Sequence, residues 1–226
     1  MGFMHHPFPM QIFRAYDIRG KVSLLNVSMV NAIAHGLAQQ YQSAGQTRVA
    51  IGYDARLSSP TYAHIIQRTL SLYAIEAHII GCCSSPMLYY TSREFDGNGI
   101  MITASHNPRE DNGIKWLINN QPPCPEMIQA VGQEAQKYYS DELQQIDWIE
   151  HEIIPEYCLK YQQSIFNDIQ LKRRYRVVLD GLNGSAGRCA ALVLNKLGCD
   201  LTTIRTEANG HFPDHAPDPS QEAHLQ

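Results

Sequence analysis

The 226 residues contain no C-x-x-C pair and no apolar run approaching the length of a membrane span. Six cysteines lie at 82, 83, 124, 158, 189 and 199. That spacing supports neither a zinc site nor a disulfide framework, and reduced thiols in a cytoplasmic protein are the expectation. Positive charge is not in excess: 18 Lys and Arg face 22 Asp and Glu, for a formal net charge of −4. No global field therefore draws in nucleic acid or an anionic membrane, and a phosphorylated ligand would have to be met by local arginines and lysines. The opening Met-Gly-Phe-Met-His-His lacks a basic region followed by a long apolar stretch, so no signal peptide is expected. Repeats and low-complexity tracts are missing too. What is there, 44% hydrophobic and 18% charged residues, is the composition of a soluble globular protein with ample material for a core.

Strand and helix signals alternate along the chain. Val30, Ile33, Ala34, Leu37, Ala38 and Tyr41 recur at helical spacing, and Gly45 follows as a stop. Residues 48–52 read as a buried strand, and Ser59-Pro60 as a helix cap with proline at the first position. A second strand is predicted over 77–81, a helix over 86–95, and a third strand over 99–103. Extended structure resumes at 113–118, and Asn119-Asn120 has the chemistry of a hairpin turn. Pro122-Pro123 marks a break before a polar helix over 125–139. From about residue 153 a second unit begins: a helix, a strand over 175–179, a glycine loop, a helix ending near Leu197 and a strand over 200–204. The alternation predicts an α/β fold: a mixed, mostly parallel sheet with helices on both faces, followed by an incomplete second domain of similar fold. The domains are expected at 1–152 and 153–226.

The most informative stretch is Ile102-Thr-Ala-Ser-His-Asn-Pro-Arg-Glu-Asp111. A hydrophobic run stops at a small residue, and Ser105, His106, Asn107 and Pro108 follow, which makes a tight loop at the carboxyl end of a strand. Open α/β sheets place their ligand chemistry there. Two readings fit this stretch alone: a polar turn that ends a buried strand, or a stiff loop that presents the Ser105 hydroxyl. A hydrolase would pair the serine with a histidine and an acid. The adjacent His106 is poorly placed to fold back onto its own neighbour, and no G-x-S-x-G elbow is present. Phosphoryl transfer suits the loop better, since it needs positioning and charge neutralisation more than a triad.

Three further segments surround the serine in sequence: Phe13-Arg-Ala-Tyr-Asp-Ile-Arg-Gly20, Asp54-Ala-Arg-Leu-Ser-Ser-Pro60 and Asn112-Gly-Ile-Lys-Trp116. Read bare, Tyr16 and Arg19 belong to an N-terminal loop with an ordinary Asp17–Arg19 pair. Lys115 reads as a solvated edge lysine, and Asp54–Arg56 as a structural ion pair. Taken with Thr103-Ala-Ser-His-Asn-Pro108 and in this order, the four segments resemble the α-D-phosphohexomutases, the phosphomannomutase/phosphoglucomutase family. The resemblance runs from about Ile12 to the last residues. Tyr-Asp-Ile-Arg-Gly is similar to the phosphomannomutase/phosphoglucomutase branch in particular.

The resemblance implies that Ser105 is phosphorylated and passes its phosphoryl group to a hexose phosphate, with a hexose 1,6-bisphosphate as intermediate. It implies that Tyr16 and Arg19 shape the site and that Lys115 contacts the phosphoserine and does acid–base work; His106, read from the residues alone, either supports the serine or is simply a loop residue. It implies Mg2+, bound through the phosphate on Ser105 and three aspartates of a D-G-D-G-D-R loop. Those aspartates do not occur here, since Asp96-Gly97 and Asp180-Gly181 are both followed by neutral residues. A sugar-reading G-E-x-S-G loop and a phosphate-binding fourth domain are also expected of the family and do not occur. The expectation is thus an N-terminal portion, domain 1 and part of domain 2, inactive alone and prone to dimerise through exposed edges. The alternative is a catalytically dead fragment that binds a phosphosugar or a protein partner. The glycine loop Gly181-Leu-Asn-Gly-Ser-Ala-Gly187 has the wrong spacing for a dinucleotide site. His211 and His215 flank Pro213 in a connecting segment and are read as structural.

Overall fold

The computed structural model describes residues 8–140, 155–214 and 216–218. Five strands form one sheet: β1 (Ile18–Lys21), β2 (Arg48–Tyr53), β3 (Glu76–Cys82), β4 (Gly99–Ile102) and β5 (Asp111–Leu117), in the order β1-β5-β4-β2-β3. β2 runs parallel to both β3 and β4, whereas β5 runs antiparallel to β4 and to β1. The sheet is mixed because β4 and β5 are joined directly, by residues 103–110, rather than through a crossover helix. This connection carries Ser105 and emerges at the carboxyl ends of β2 and β4.

The period-2 pattern of each strand sorts its side chains between two helical layers. Val49, Ile51 and Tyr53 of β2, Ile100 and Ile102 of β4, and Ile114 and Trp116 of β5 share the larger core with α1 (Val27–Ser43), α2 (Ser59–Ser71) and α4 (Pro125–Tyr138). Ala50, Ile80 and Met101 point to the other face, against Met87 and Leu88 of α3 (Ser85–Thr91) and Phe95. α5 (Pro155–Asp168) completes that second layer: Tyr157 lies 6.2 Å from the Phe95 ring and Tyr161 lies 5.7 Å from Tyr90. Lys160 Nζ reaches Glu94 at 2.8 Å. The predicted helices on both faces are present, and the helix expected to open the second unit also covers the first sheet. The expected boundary at 152/153 lies outside the described residues.

Caps and turns differ from expectation in one place. Asn26 caps α1, its side chain accepting from the Met29 amide at 2.9 Å. Ser58, not Ser59, precedes α2; Ser59 is the first helical residue, and its hydroxyl donates to Asp54 at 2.8 Å. The Asn119-Asn120 turn has φ of 52° and 62°, both left-handed as a type I′ hairpin requires.

The remaining residues form β6 (Arg176–Asp180), α6 (Gly187–Lys196) and β7 (Asp200–Ile204), with β6 and β7 parallel. Two strands and one helix bury little. Val178 is 68% exposed and Leu192 and Ile204 are also exposed, whereas Val177 and Leu197 are half-buried. No helix among the described residues is long and apolar enough to cross a membrane.

Candidate active site at the β4–β5 loop

Two turns shape the loop. The Asn107 amide donates to Ala104 O at 3.1 Å and the Asp111 amide to Pro108 O at 3.0 Å. Within the first turn Ser105 has φ 56°, a left-handed conformation that favours glycine or asparagine. A serine held there costs about 1 kcal/mol, so something must hold it. Two bonds do: the Ser105 amide donates to Thr103 Oγ1 at 2.8 Å, and Ser105 O accepts from Arg56 Nη2 at 2.9 Å.

Arg56 organises the whole loop. Its guanidinium has five N–H bonds, and all five are engaged. Nε donates to Asp54 Oδ2 (3.0 Å), Nη1 to Pro108 O (2.6 Å) and Asp111 O (3.0 Å), and Nη2 to Ser105 O and to Asn107 O (2.8 Å). The side chain is 1% exposed. Four carbonyls of one loop therefore converge on one buried cation, whose charge Asp54 balances. The sequence reading took Arg56 as one half of an ion pair with Asp54; with every donor committed to backbone and Asp54, it is also a scaffold for the loop.

Asp54 and Asn112 interlock the motifs around this scaffold. Asp54 Oδ1 accepts from the Arg56 amide at 3.0 Å and from Ser59 Oγ. The buried Asn112 donates through Nδ2 to Ser58 Oγ (2.7 Å) and Ser59 Oγ (3.0 Å). Gly113 follows because a Cβ there would come within 2.7 Å of Ile18 O and 2.8 Å of Thr103 O. Only glycine lets β1 and the loop approach β5 from both sides.

Besides Arg109 of the loop itself, which pairs with Glu110, two cations flank the site from β1 and β5. Arg19, expected in a loop, lies in edge strand β1 opposite Gly113, and Lys115, expected at a sheet edge, lies in β5 between β1 and β4. Both pair with Asp17: Arg19 Nη2 at 2.5 Å and Lys115 Nζ at 2.7 Å. Burial works to raise the Asp17 carboxyl, but Lys115 and then Arg19 outweigh it and hold it below the usual carboxylate range. Two cations share one carboxylate, leaving a net positive charge beside the serine loop. Arg19 Nη1 also donates to Asn107 Oδ1 at 2.9 Å, and Asn107 Nδ2 to Asp111 Oδ2 at 2.8 Å. Arg19 Nε is buried without a partner among the described residues.

His106 Nδ1 lies 3.3 Å from Ser105 Oγ. The sequence reading argued against this contact between neighbours; the left-handed turn at Ser105 brings them onto one side. Among the described residues no carboxylate bonds to the other ring nitrogen of His106, so the pair is not a triad. Tyr16 is 85% exposed, clear of the loop's hydrogen-bond network. Thr103 and Asn112 were not singled out from sequence; Asp17 was read only as the partner of Arg19, a pair that is present, and Asn107 only as a residue of the turn. The spacing Asp-x-Arg-x-Ser-Ser pointed to a local lock, but nothing local shows that it closes on residues 50 positions away.

Among the described residues no group of three or more His, Cys, Asp and Glu is placed to hold a metal ion. Of the carboxylates near the loop, Asp17 is held by two cations, Asp54 by Arg56 and Ser59, and Asp111 by Asn107. The magnesium implied by resemblance does not fit these residues by themselves.

Residues 10–142 match the family model described as phosphoglucomutase/phosphomannomutase, alpha/beta/alpha domain I, and residues 155–226 match that of domain II. A phosphomannomutase/phosphoglucomutase of Pseudomonas aeruginosa is 33% identical over 221 residues, covering 96% of this chain and 46% of that protein. A phosphoglucomutase of Neisseria meningitidis is 34% identical over 217 residues, 95% of this chain and 46% of that protein. The chain thus spans about half the length of these curated relatives. A solved phosphoglucomutase/phosphomannomutase family protein of Burkholderia thailandensis superposes with a TM-score of 0.83 at 26% identity, over 96% of this chain and 48% of its own. The β4–β5 serine loop thus stands in the first of two consecutive family domains: the chain belongs to the phosphoglucomutase/phosphomannomutase family, whose domains I and II it carries.

Proposed function

We propose that Ser105 is the phosphoryl carrier of a phosphohexomutase that moves phosphate between C1 and C6 of a hexose phosphate. The observation that carries this reading is the conformation of Ser105. Its backbone sits where glycine would be cheaper, and a buried arginine holds it there with one donor to the Ser105 carbonyl and three more to the carbonyls of Asn107, Pro108 and Asp111. Strain maintained at such cost points to a demand for the side chain.

In this reading the phosphoryl group on Ser105 Oγ is attacked by a free hydroxyl of the bound hexose phosphate. The serine P–O bond breaks as the sugar O–P bond forms, giving the 1,6-bisphosphate. After the sugar reorients, its other phosphoryl group returns to the serine. Arg19 and Lys115 supply positive charge toward both phosphates, each shifting part of its contact away from Asp17. Lys115 serves as acid–base group for the sugar hydroxyl, and His106, within reach of Oγ, supports the serine. Tyr16, exposed beside Arg19, is a contact for the substrate rather than for the loop.

These residues alone bring too little positive charge. A phosphoserine and a substrate phosphate each carry close to two negative charges, against Arg19 and Lys115 already shared with Asp17. Losing one key electrostatic element costs a factor of hundreds or more. The 226-residue chain by itself is therefore expected not to turn over, and magnesium would need ligands that these residues do not supply. The test is conversion of glucose 1-phosphate or mannose 1-phosphate by protein from the complete gene, with Ser105→Ala beside it. Activity abolished by the alanine supports the carrier role; activity that survives it assigns the chemistry elsewhere. Binding of the phosphosugar without turnover by the complete protein would favour the rival reading of a phosphosugar-binding protein.

A further inference from the structure

Residues 209–212 join the second domain to the serine loop by a continuous set of contacts. At one end the Asn209 amide donates to Asn183 O at 2.9 Å, and Asn183 Nδ2 returns to Glu207 O at 3.0 Å. The segment is thereby fastened to the glycine loop after β6, which gives that loop a structural task. At the other end Gly210 lies against the turn at residues 55–57. A Cβ at Gly210 would overlap Ala55 O and come within 2.9 Å of Leu57 N, so only glycine allows the backbones so close. Arg109 Nη1 donates to His211 O at 3.2 Å, tying the segment to the serine loop as well. Phe212 is buried, and its ring centroid lies 6.0 Å from the guanidinium carbon of Arg56.

The geometry at Arg56 explains why an aromatic ring is found there. All five N–H bonds lie in the guanidinium plane and are committed to the loop and Asp54. What remains of the cation is its two faces, which accept no hydrogen bond and are matched by the negative face of an aromatic ring. Water on that face in place of the ring would solvate the cation and so weaken its in-plane hold on the loop carbonyls.

We propose that Phe212 is a positioning residue for the serine loop: carried on the second domain's segment, it closes the face of Arg56 and holds the Ser105 turn from outside the first domain. Its meaning for catalysis rests on the reading of Ser105 as phosphoryl carrier, but the contact itself does not.

Amide hydrogen exchange on the 226-residue chain tests it. The reporters are the amides of Ser105, Asn107 and Asp111, bonded to Thr103 Oγ1, Ala104 O and Pro108 O. Phe212→Ala is expected to speed their exchange by about 3- to 30-fold, the range of a cation–π contact, with amides of β2 and β4 unchanged. Phe212→Tyr, which keeps the ring, should restore wild-type exchange. Phe212→Leu, which keeps apolar bulk and is the variant of choice if alanine prevents folding, should speed the loop as well. Unchanged loop amides in the leucine and alanine variants would overturn the proposal, as would β2 and β4 amides accelerating by the same factor. Because exchange is read whether or not Ser105 ever carries phosphate, the two proposals fail separately.

Discussion

Arg56→Ala should be among the most damaging single changes in the first domain, and the structure gives its size. The substitution removes five hydrogen bonds from a site 1% exposed, leaving the Asp54 carboxylate and four loop carbonyls short of a donor. Breaking a buried pair by deleting one partner costs about 3–5 kcal/mol. Some of that is recovered, since loop carbonyls freed from Arg56 can turn to water; about 3–4 kcal/mol is the expected loss. With about 2–4 °C per kcal/mol for a protein of this size, the melting temperature should fall by roughly 6–16 °C. Arg56→Lys keeps the charge but offers three donors without the planar fork, so it should recover less than half of the loss. The assay is urea denaturation followed by tryptophan fluorescence, since Trp116 lies buried in β5 of the same sheet. An alanine variant within about 1 kcal/mol of wild type would refute the idea that the loop is organised around this cation.

Other consequences are open to measurement. Asp17→Asn should release Arg19 and Lys115 toward an external anion, so that inorganic phosphate binds about three- to tenfold more tightly by calorimetry; unchanged binding would mean that Asp17 does not restrain them. Because the Asp17 carboxyl titrates below its ordinary value of 3.8, its stabilising contribution is complete above that value and is lost as pH falls through the lower, folded-state value. The Asn variant should lack this acid limb in urea midpoints. His35 is stacked on Tyr138 at 4.0 Å and bonded to the Tyr73 hydroxyl at 2.8 Å, and burial lowers its pKa from 6.5 against the opposing pull of Glu134. The unfolded chain then takes the proton first, so stability should decline as pH drops below about 6.5 and level off under the folded value; His35→Gln should flatten that slope. The exposed Val178, Leu192 and Ile204 should drive concentration-dependent association of the isolated chain, dimers included, and Val178→Lys should weaken it in sedimentation velocity.

Much of the fold was legible because its signals are local. The helical spacing from Val30 to Tyr41, the Asn119-Asn120 turn and the buried runs of β2 and β4 each depend on neighbours within a few residues. β1 was not legible. Ile18–Lys21 is four residues long, and its strand identity comes from pairing with β5 nearly a hundred positions away. For the same reason Lys115 reads as an edge lysine until β1 is placed beyond it. The placement of α5 on the first sheet was also hidden, since the helix serves two partners: Tyr157 and Tyr161 pack toward Phe95 and its neighbours, while Gln162 reaches Cys189 of α6. Around the site, Ser105 stood out because a strand ends on it. The role of Arg56 did not, because its partners are backbone carbonyls, and a carbonyl leaves no mark in sequence. The His106–Ser105 contact turned on one dihedral angle, φ at Ser105, that composition does not predict.

The central claim is that Ser105 carries a phosphoryl group, and intact-mass measurement tests it most directly. Protein from the complete gene, treated with a hexose 1,6-bisphosphate, should show a species heavier by one phosphoryl group, with fragmentation placing it on Ser105 and its complete loss in Ser105→Ala. A phosphoryl group that persists in the alanine variant, or a wild-type protein that never acquires one, would contradict the account.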